Sequence, residues 1–163
     1  MLFEEFVSDR GDPLLRLAFV LTGDRFRAED LTQTVLAETY KRWSRISKAN
    51  DPDAYVRKML VHANIDWHRR RWSRERPVDM GQDVLTHVDH ADQIGDQDEM
   101  RVLLLRLAPR ARTVLVLRYY LDMDDIAIAD MMNIKLSSVR AAASRALESL
   151  RGMLSEVVGE ELA

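Results

Sequence analysis

The sequence predicts an all-α protein made of two small helical domains joined by an acidic, flexible linker. Glycine and proline are scarce, at 6 and 4 of 163 residues, whereas all-β folds need many turns. Apolar residues recur at steps of three and four along most of the chain, which is the period of amphipathic helices. Residues 77–96 break this period, and residues 77–100 carry seven acidic residues with no lysine or arginine. A segment of that composition favours a solvated connector.

The first predicted domain spans residues 1–76 and contains three helices, over about residues 2–21, 27–43 and 51–72. Gly23 lies where the first helix should stop, and Asp51-Pro52 is a start signal because Asp caps a helix and Pro suits its first turn. The residues predicted to face the core are Phe6, Leu14, Leu17, Ala18 and Leu21, then Ala28, Leu31, Val35, Leu36 and Tyr40, then Val56, Met59, Leu60, Ala63 and Trp67.

The second predicted domain spans residues 97–154. Pro109 divides its first helical stretch, which ends near residue 120. Asp124 is a cap for a short helix ending near residue 132, and Asn133 tolerates the left-handed backbone of a tight turn. A last helix follows over about residues 136–154, with Val139, Ala143, Ala146, Leu147 and Leu150 facing inward. The acidic tail, residues 155–163, is predicted to fray.

Residues 77–96 form the predicted linker. Its His87, Asp89, His90 and Asp92 include metal-binding side chains, but an irregular acidic segment has no neighbouring groups to orient them. We therefore predict no metal site and no cofactor. The absence of cysteine excludes disulfides and thiolate zinc sites, and no apolar run is long enough to span a membrane.

A short helix, a three-residue turn and a longer helix, over residues 124–132, 133–135 and 136 onward, match a helix-turn-helix. The exposed side of its second helix offers donors that suit phosphates and base edges. These candidates are Lys135, Ser137, Ser138, Arg140 and Ser144. The same spacing also fits an ordinary helical hairpin with a solvated polar side.

Residues 66–74 interleave two tryptophans with a dense basic run. Arginines neutralise phosphates, and aromatic rings can stack on unpaired bases. The alternative is that Trp67 and Trp72 belong to the core and that the arginines mark a helix end favoured by the dipole. We expect Trp67 to lie at least partly in the core.

Taken in order, these motifs resemble the sigma-70 family. Residues 28–37 (AEDLTQTVLA) resemble its polymerase-binding helix, and residues 52–57 with the basic run resemble the adjoining promoter-melting region. Residues 107–120 look like the start of its second DNA-binding domain, and the helix-turn-helix follows. No domain separates the two units, as in the extracytoplasmic-function (ECF) subgroup. The Thr22-Gly23-Asp24, Asp66-Trp67 and Tyr119-Tyr120 segments resemble its SigE-like branch.

The resemblance implies a non-enzymatic, cytoplasmic transcription initiation factor. Its partners would be core RNA polymerase, through the β′ clamp and β flap, and promoter DNA; members are often held by an anti-sigma protein. The implied polymerase-binding residues are Glu29, Asp30, Gln33, Glu38 and Arg42. Those implied for the -10 element are Tyr55, Arg57, His62, Asp66, Trp67, Arg69, Arg70, Arg71 and Arg74. The helix-turn-helix candidates would read the -35 element.

Some residues depart from the family pattern. His62 stands where Asn is usual, Asn133 where Gly is common, and Arg140-Ala141-Ala142 where Lys-Ser-Arg is common. We expect fewer direct upstream contacts than in a typical member, because two polar groups are replaced by alanine. Two other classes remain open on the residues alone: a DNA-binding regulator that does not join polymerase, and a helical adaptor that binds only protein.

Overall fold

A computed structural model describes residues 1–74 and 99–162, with only the backbone described for residues 71–74. It forms two compact units that divide between residues 81 and 82. Every regular element in the described ranges is helical, which confirms the predicted fold class. No helix in these ranges combines the length and apolar character needed to cross a bilayer. The predicted linker and its candidate metal ligands lie outside the described residues.

The described part of the first unit contains four helices: α1 (Phe3–Thr22), α2 (Arg25–Lys41), α3 (Trp43–Ile46) and α4 (Pro52–Arg74). Gly23 ends α1 in the left-handed region, at φ 69°, which glycine adopts without steric cost. The Asp24 side chain then caps α2 by accepting from the Arg27 amide at 3.1 Å. Asp51 caps α4 in the same way, at 3.0 Å from the Ala54 amide. The predicted stop and start signals are confirmed.

Helices α1, α2 and α4 pack on one another around a single core. All five residues predicted to face inward from α1 are buried. In α4 the prediction is confirmed for Val56 and Leu60, which are buried together with Val61, Asn64 and Ile65. This packing leaves the opposite side of α4 to solvent.

The predicted inner face of α2 is partly wrong. Ala28 and Val35 are buried as predicted, but Thr32 and Thr39 complete the buried stripe while Tyr40 is 63% exposed. Each threonine hydroxyl donates to the carbonyl four residues earlier, at 2.7 Å. Burial of these side chains therefore costs little free energy, because their hydroxyl groups form hydrogen bonds within the helix.

The chain between α2 and α4 also differs from the prediction, since α2 ends at Lys41 and a short helix follows. Trp43 in that short helix packs against Phe6, with ring centroids 5.1 Å apart, and edge-on against Phe3 at 5.7 Å. Its indole N–H donates to the Met1 carbonyl at 3.2 Å. Trp43 thus connects the N-terminal residues of the chain with the segment that follows α2.

The second unit contains α5 (Glu99–Leu105), α6 (Pro109–Leu115), a π-helix (Val116–Tyr120), α7 (Asp125–Met132) and α8 (Leu136–Leu162). Asp124 caps α7 by accepting from the Ala127 amide at 2.7 Å. Asn133 ends α7 in the left-handed region, at φ 53° and ψ 49°. Both features were predicted, and together they form the helix-turn-helix of α7 and α8.

Helix α8 is longer than predicted. It continues to Leu162, so the prediction of a helix that ends near residue 154 and a frayed tail is wrong. Residues 153–162 contain mainly Glu, Val, Leu and Met and no proline, so nothing in their sequence forces the helix to stop. The first half of α8 packs on α5, α6 and α7 through Val139, Ala142, Ala143, Ala146 and Leu150.

Candidate functional site

Helix α2 presents a polar face opposite its buried stripe. Asp30 and Gln33 are both exposed there, and neither makes a hydrogen bond or ion pair with any described residue. Phe26 lies within about 60° of both around the helix and is 82% exposed. Aromatic side chains, including Phe, are enriched at protein–protein interfaces relative to the rest of the surface. We call Phe26, Asp30 and Gln33 the α2 face.

The other three residues implied in polymerase binding take part in ion pairs along the helix. Glu29 Oε1 lies 3.2 Å from Arg25 Nε, and Glu38 pairs with Lys41 at 3.1 Å and with Arg42 at 3.5 Å. Exposed pairs of this spacing contribute little to stability, about 0.3–0.5 kcal/mol. A partner surface can therefore replace them at small cost.

Helix α4 places five of the residues implied in -10 binding within a sector of about 100°. This α4 face lies opposite the buried Leu60 and Asn64, and its members are Tyr55, His62, Asp66, Arg69 and Arg70. All are exposed except Tyr55, which is half-buried. Arg71 and Arg74 belong to the last turns of the same helix, and their side chains lie outside the described atoms.

Arg57 is set apart from the α4 face. It lies toward the buried side of the helix, and its Nε is 3.1 Å from Asp53 Oδ2. Arg10 of α1 approaches the same carboxylate at 4.0 Å. The structure therefore gives Arg57 a contact at the α1–α4 junction.

A contact between α2 and α4 that the sequence did not reveal fixes Trp67. The Arg27 guanidinium lies 3.3 Å from the centroid of the Trp67 ring, and Arg27 Nη2 donates to Asn64 Oδ1 at 3.2 Å. Trp67 is 36% exposed and is not one of the buried core residues, so the prediction that it lies in the core is not confirmed. The guanidinium covers one side of the indole. An unpaired base could therefore stack only on the part of the Trp67 ring that the Arg27 guanidinium does not cover.

We predict that Arg27→Ala lowers the free energy of unfolding of the first unit by about 1–3 kcal/mol, since a cation–π contact and a hydrogen bond to a buried amide are lost together. Arg25→Ala is the matched control, because it removes an exposed arginine of the same helix that pairs with Glu29 within α2. Denaturant unfolding followed by tryptophan fluorescence is the measurement. All three tryptophans belong to the first unit, so the signal reports on it alone. Equal losses in the two variants would contradict the assigned role of Arg27.

In the helix-turn-helix, Ser137, Arg140 and Ser144 are exposed within about 100° on α8. Lys135 is exposed in the turn, and Ser138 is half-buried. We call these five residues the α8 face.

The two alanine departures have different consequences. Ala141 is exposed on the α8 face, so a polar group is missing there. Ala142 is buried at 5% exposure, so the expectation that it removes a direct DNA contact is wrong. Its side chain packs in the core of the unit, because it lies on the opposite side of α8 from Ser137.

An ion-pair cluster that the sequence did not reveal stands beside the α8 face. Asp125, at the start of α7, accepts from Nε and Nη2 of Arg118 in the π-helix, at 2.9 and 2.5 Å. Its second oxygen lies 3.7 Å from Arg140 Nε. The hydrogen bond to Asp125 raises the pKa of Arg118 above its ordinary value, so the guanidinium stays charged. The Asp125 carboxylate of α7 thus interacts with side chains of both the π-helix and α8.

The comparisons with known proteins agree with this architecture. Residues 6–74 match the family described as Sigma-70 region 2, and residues 97–150 match Sigma-70, region 4. The chain is 36% identical to the RNA polymerase sigma-E factor of Streptomyces avermitilis, over 91% of this chain and 83% of that protein. It is 35% identical to that of Streptomyces coelicolor, over 98% of this chain and 88% of that protein.

A solved structure shows the same fold. The sigma factor RpoE in complex with the anti-sigma factor NepR, from Bartonella quintana, is 19% identical with a TM-score of 0.63, covering 94% of this chain and 96% of that chain. The chain therefore belongs to the sigma-70 family of RNA polymerase sigma factors. It is of the ECF type, as the resemblance predicted, and its function is promoter-directed transcription initiation with core RNA polymerase.

Proposed function

We propose that the first unit binds the β′ clamp of core polymerase through the α2 face. The observation that carries this assignment is the exposure of Asp30 and Gln33 without partners in the described structure. Phe26 adds a large apolar surface between them. Glu29 borders this face, and Glu38 and Arg42, farther along at the end of α2, supply further charges that a partner can pair with. The second unit would meet the β flap.

We further propose that the α4 face holds the non-template strand of the -10 element. Arg69 and Arg70 would neutralise phosphates, and Trp67 beside them and Tyr55 at the other end of the face would contact unpaired bases. Arg71 and Arg74 extend the same basic run by sequence. His62 and Asp66 lie between the two ends of the face, and Asp66 would contact a base rather than a phosphate, because a carboxylate repels phosphate. Arg57 would act indirectly, by fixing the Asp53 carboxylate that Arg10 of α1 approaches.

The α8 face is proposed to enter the major groove at the -35 element. Arg140 is the best candidate for a base contact, because its fork can pair bidentately with guanine. Lys135, Ser137, Ser138 and Ser144 would contact the backbone around it, and the N-terminus of α8 would offer free amide groups to a phosphate. In this scheme residues 1–76 and 97–154 are the two DNA- and polymerase-binding domains.

The protein acts under this proposal by binding alone, without a chemical step of its own, and in the cytoplasm, where bacterial polymerase and DNA are. An anti-sigma protein is a further proposed partner, since the Bartonella quintana sigma factor was solved with one.

Two binding experiments test these assignments. Co-purification with core polymerase distinguishes the proposal from a DNA-binding regulator that acts alone, and retention of promoter DNA by the reconstituted holoenzyme distinguishes it from an adaptor that binds only protein. The proposal expects both. Core binding without any effect on DNA retention would support the adaptor.

We predict that Arg140→Ala weakens holoenzyme binding to a promoter duplex by about 1–3 kcal/mol and relaxes preference at one position of the upstream element. Arg145→Ala is the control. It removes the same charge from an exposed residue about 140° around α8 from Arg140. Binding to duplexes varied across the upstream element measures both effects. An even loss across all sequences would mean that Arg140 meets only phosphate.

A further inference from the structure

The Arg140 side chain is long and 66% exposed, so alone it would sample many rotamers. Its Nε faces Asp125, whose carboxylate is held on its other oxygen by two nitrogens of Arg118. Arg118 and Asp125 are each about three-quarters buried, with side chains 24% and 23% exposed. The Asp125 carboxylate is therefore more restricted in its motion than the Arg140 side chain that it pairs with.

We propose that Asp125 is a positioning residue for promoter reading: it holds Arg140 by Nε and leaves the two terminal nitrogens of the guanidinium for a base. The inference rests on the proposed role of the α8 face. Arg118 contributes by fixing Asp125. The π-helix matters because it carries Arg118 to the carboxylate, and such helices are frequent at functional sites.

The sign of the electrostatic effect distinguishes this role from simple stabilisation. Asp125 is a negative charge beside a surface that meets phosphates, so it opposes non-specific binding to DNA. Its contribution is to restrict the rotamers of the Arg140 side chain before DNA binds. This restriction lowers the entropic cost of forming the base contact. Loss of the charge should therefore lower specificity without lowering non-specific affinity.

The experiment uses reconstituted holoenzyme and a library of promoter duplexes randomised across the upstream element. Asp125→Asn should reduce the preference at the position read by Arg140 about three- to tenfold, the range expected when one flexible side chain loses its order. Affinity for duplex without a promoter should stay equal or rise. Asp130→Asn is the matched control, since it removes the same charge from an exposed residue of α7 whose side chain makes no hydrogen bond or ion pair with a described residue.

The two variants are then combined with Arg140→Ala. If Asp125 acts through Arg140, Asp125→Asn changes nothing further in the Arg140→Ala protein. Equal loss of preference in both backgrounds would show that Asp125 only supports the fold, and the inference would fail. No loss with Asp125→Asn, while Arg140→Ala is effective, would also overturn it. If Arg140→Ala itself has no effect, the proposed role of the α8 face is wrong, and the inference falls with it.

Discussion

Replacing Asp30 by Lys and Gln33 by Ala together should weaken binding to core polymerase by about tenfold or more, which corresponds to about 1.4 kcal/mol. Both side chains are exposed and make no hydrogen bond or ion pair with the described residues, so the folded protein loses no polar interaction. The complex, in contrast, loses a charge complementary to the partner and gains a repulsion. Titration of fluorescently labelled protein with core polymerase measures the change, and circular dichroism checks that helical content is retained.

The matched control is Ser8→Ala with Asp9→Lys, which makes the same change of charge on exposed residues of α1. Phe26→Ser is a further variant on the α2 face, expected to weaken binding through lost apolar contact without any change of charge. Unchanged core affinity in both α2 variants would place the polymerase-binding surface elsewhere. An equal loss in the control would mean that net charge, and not this surface, sets the affinity.

Replacing Arg69 and Arg70 by Ala should suppress promoter opening and make it less sensitive to salt. Each contact to a single-strand phosphate contributes about 0.7 to the slope of log K against log salt, so the slope should fall by about 1.4. Both side chains are exposed on the α4 face, and the core of the unit is left intact. Permanganate footprinting of the melted region at several salt concentrations measures the fraction of open complexes.

Arg45→Ala with Lys48→Ala serves as the control, because it removes two positive charges from exposed residues of the same unit outside α4. The control should open the promoter normally. If the α4 variant does so too, with an unchanged salt slope, its arginines do not contact the melted strand.

The fold was predictable wherever one local signal decided the outcome. The caps at Asp51 and Asp124, the stop at Gly23 and the turn at Asn133 were all assigned correctly, because each depends on a single residue and its immediate neighbours. The inner face of α2 was not, because hydropathy favours Leu31 and Tyr40 over threonine. The structure nevertheless buries Thr32 and Thr39, because their hydroxyl groups form hydrogen bonds within the helix. A hydropathy pattern does not show such hydrogen bonds.

The candidate sites also contain features that could be predicted from the sequence and features that could not. Exposed polar positions on α2, α4 and α8 follow from the helical period and the family resemblance. The contacts of Arg27 with Trp67 and of Asp125 with Arg118 and Arg140 do not, since they join residues on different helices. The burial of Ala142 was also missed, because the family comparison offered a polar residue there and the core packing of α8 decided otherwise.

The most direct test of promoter-directed initiation is in vitro transcription with core polymerase and this protein alone. Genomic fragments from the source organism serve as templates, and the 5′ ends of the transcripts are mapped. We predict transcripts that start at defined positions, depend on the protein, and share an upstream and a -10 element. They should become weaker with the double variant at Asp30 and Gln33. Transcription that is equally random with and without the protein, although the protein is folded and core polymerase is active, would contradict the account.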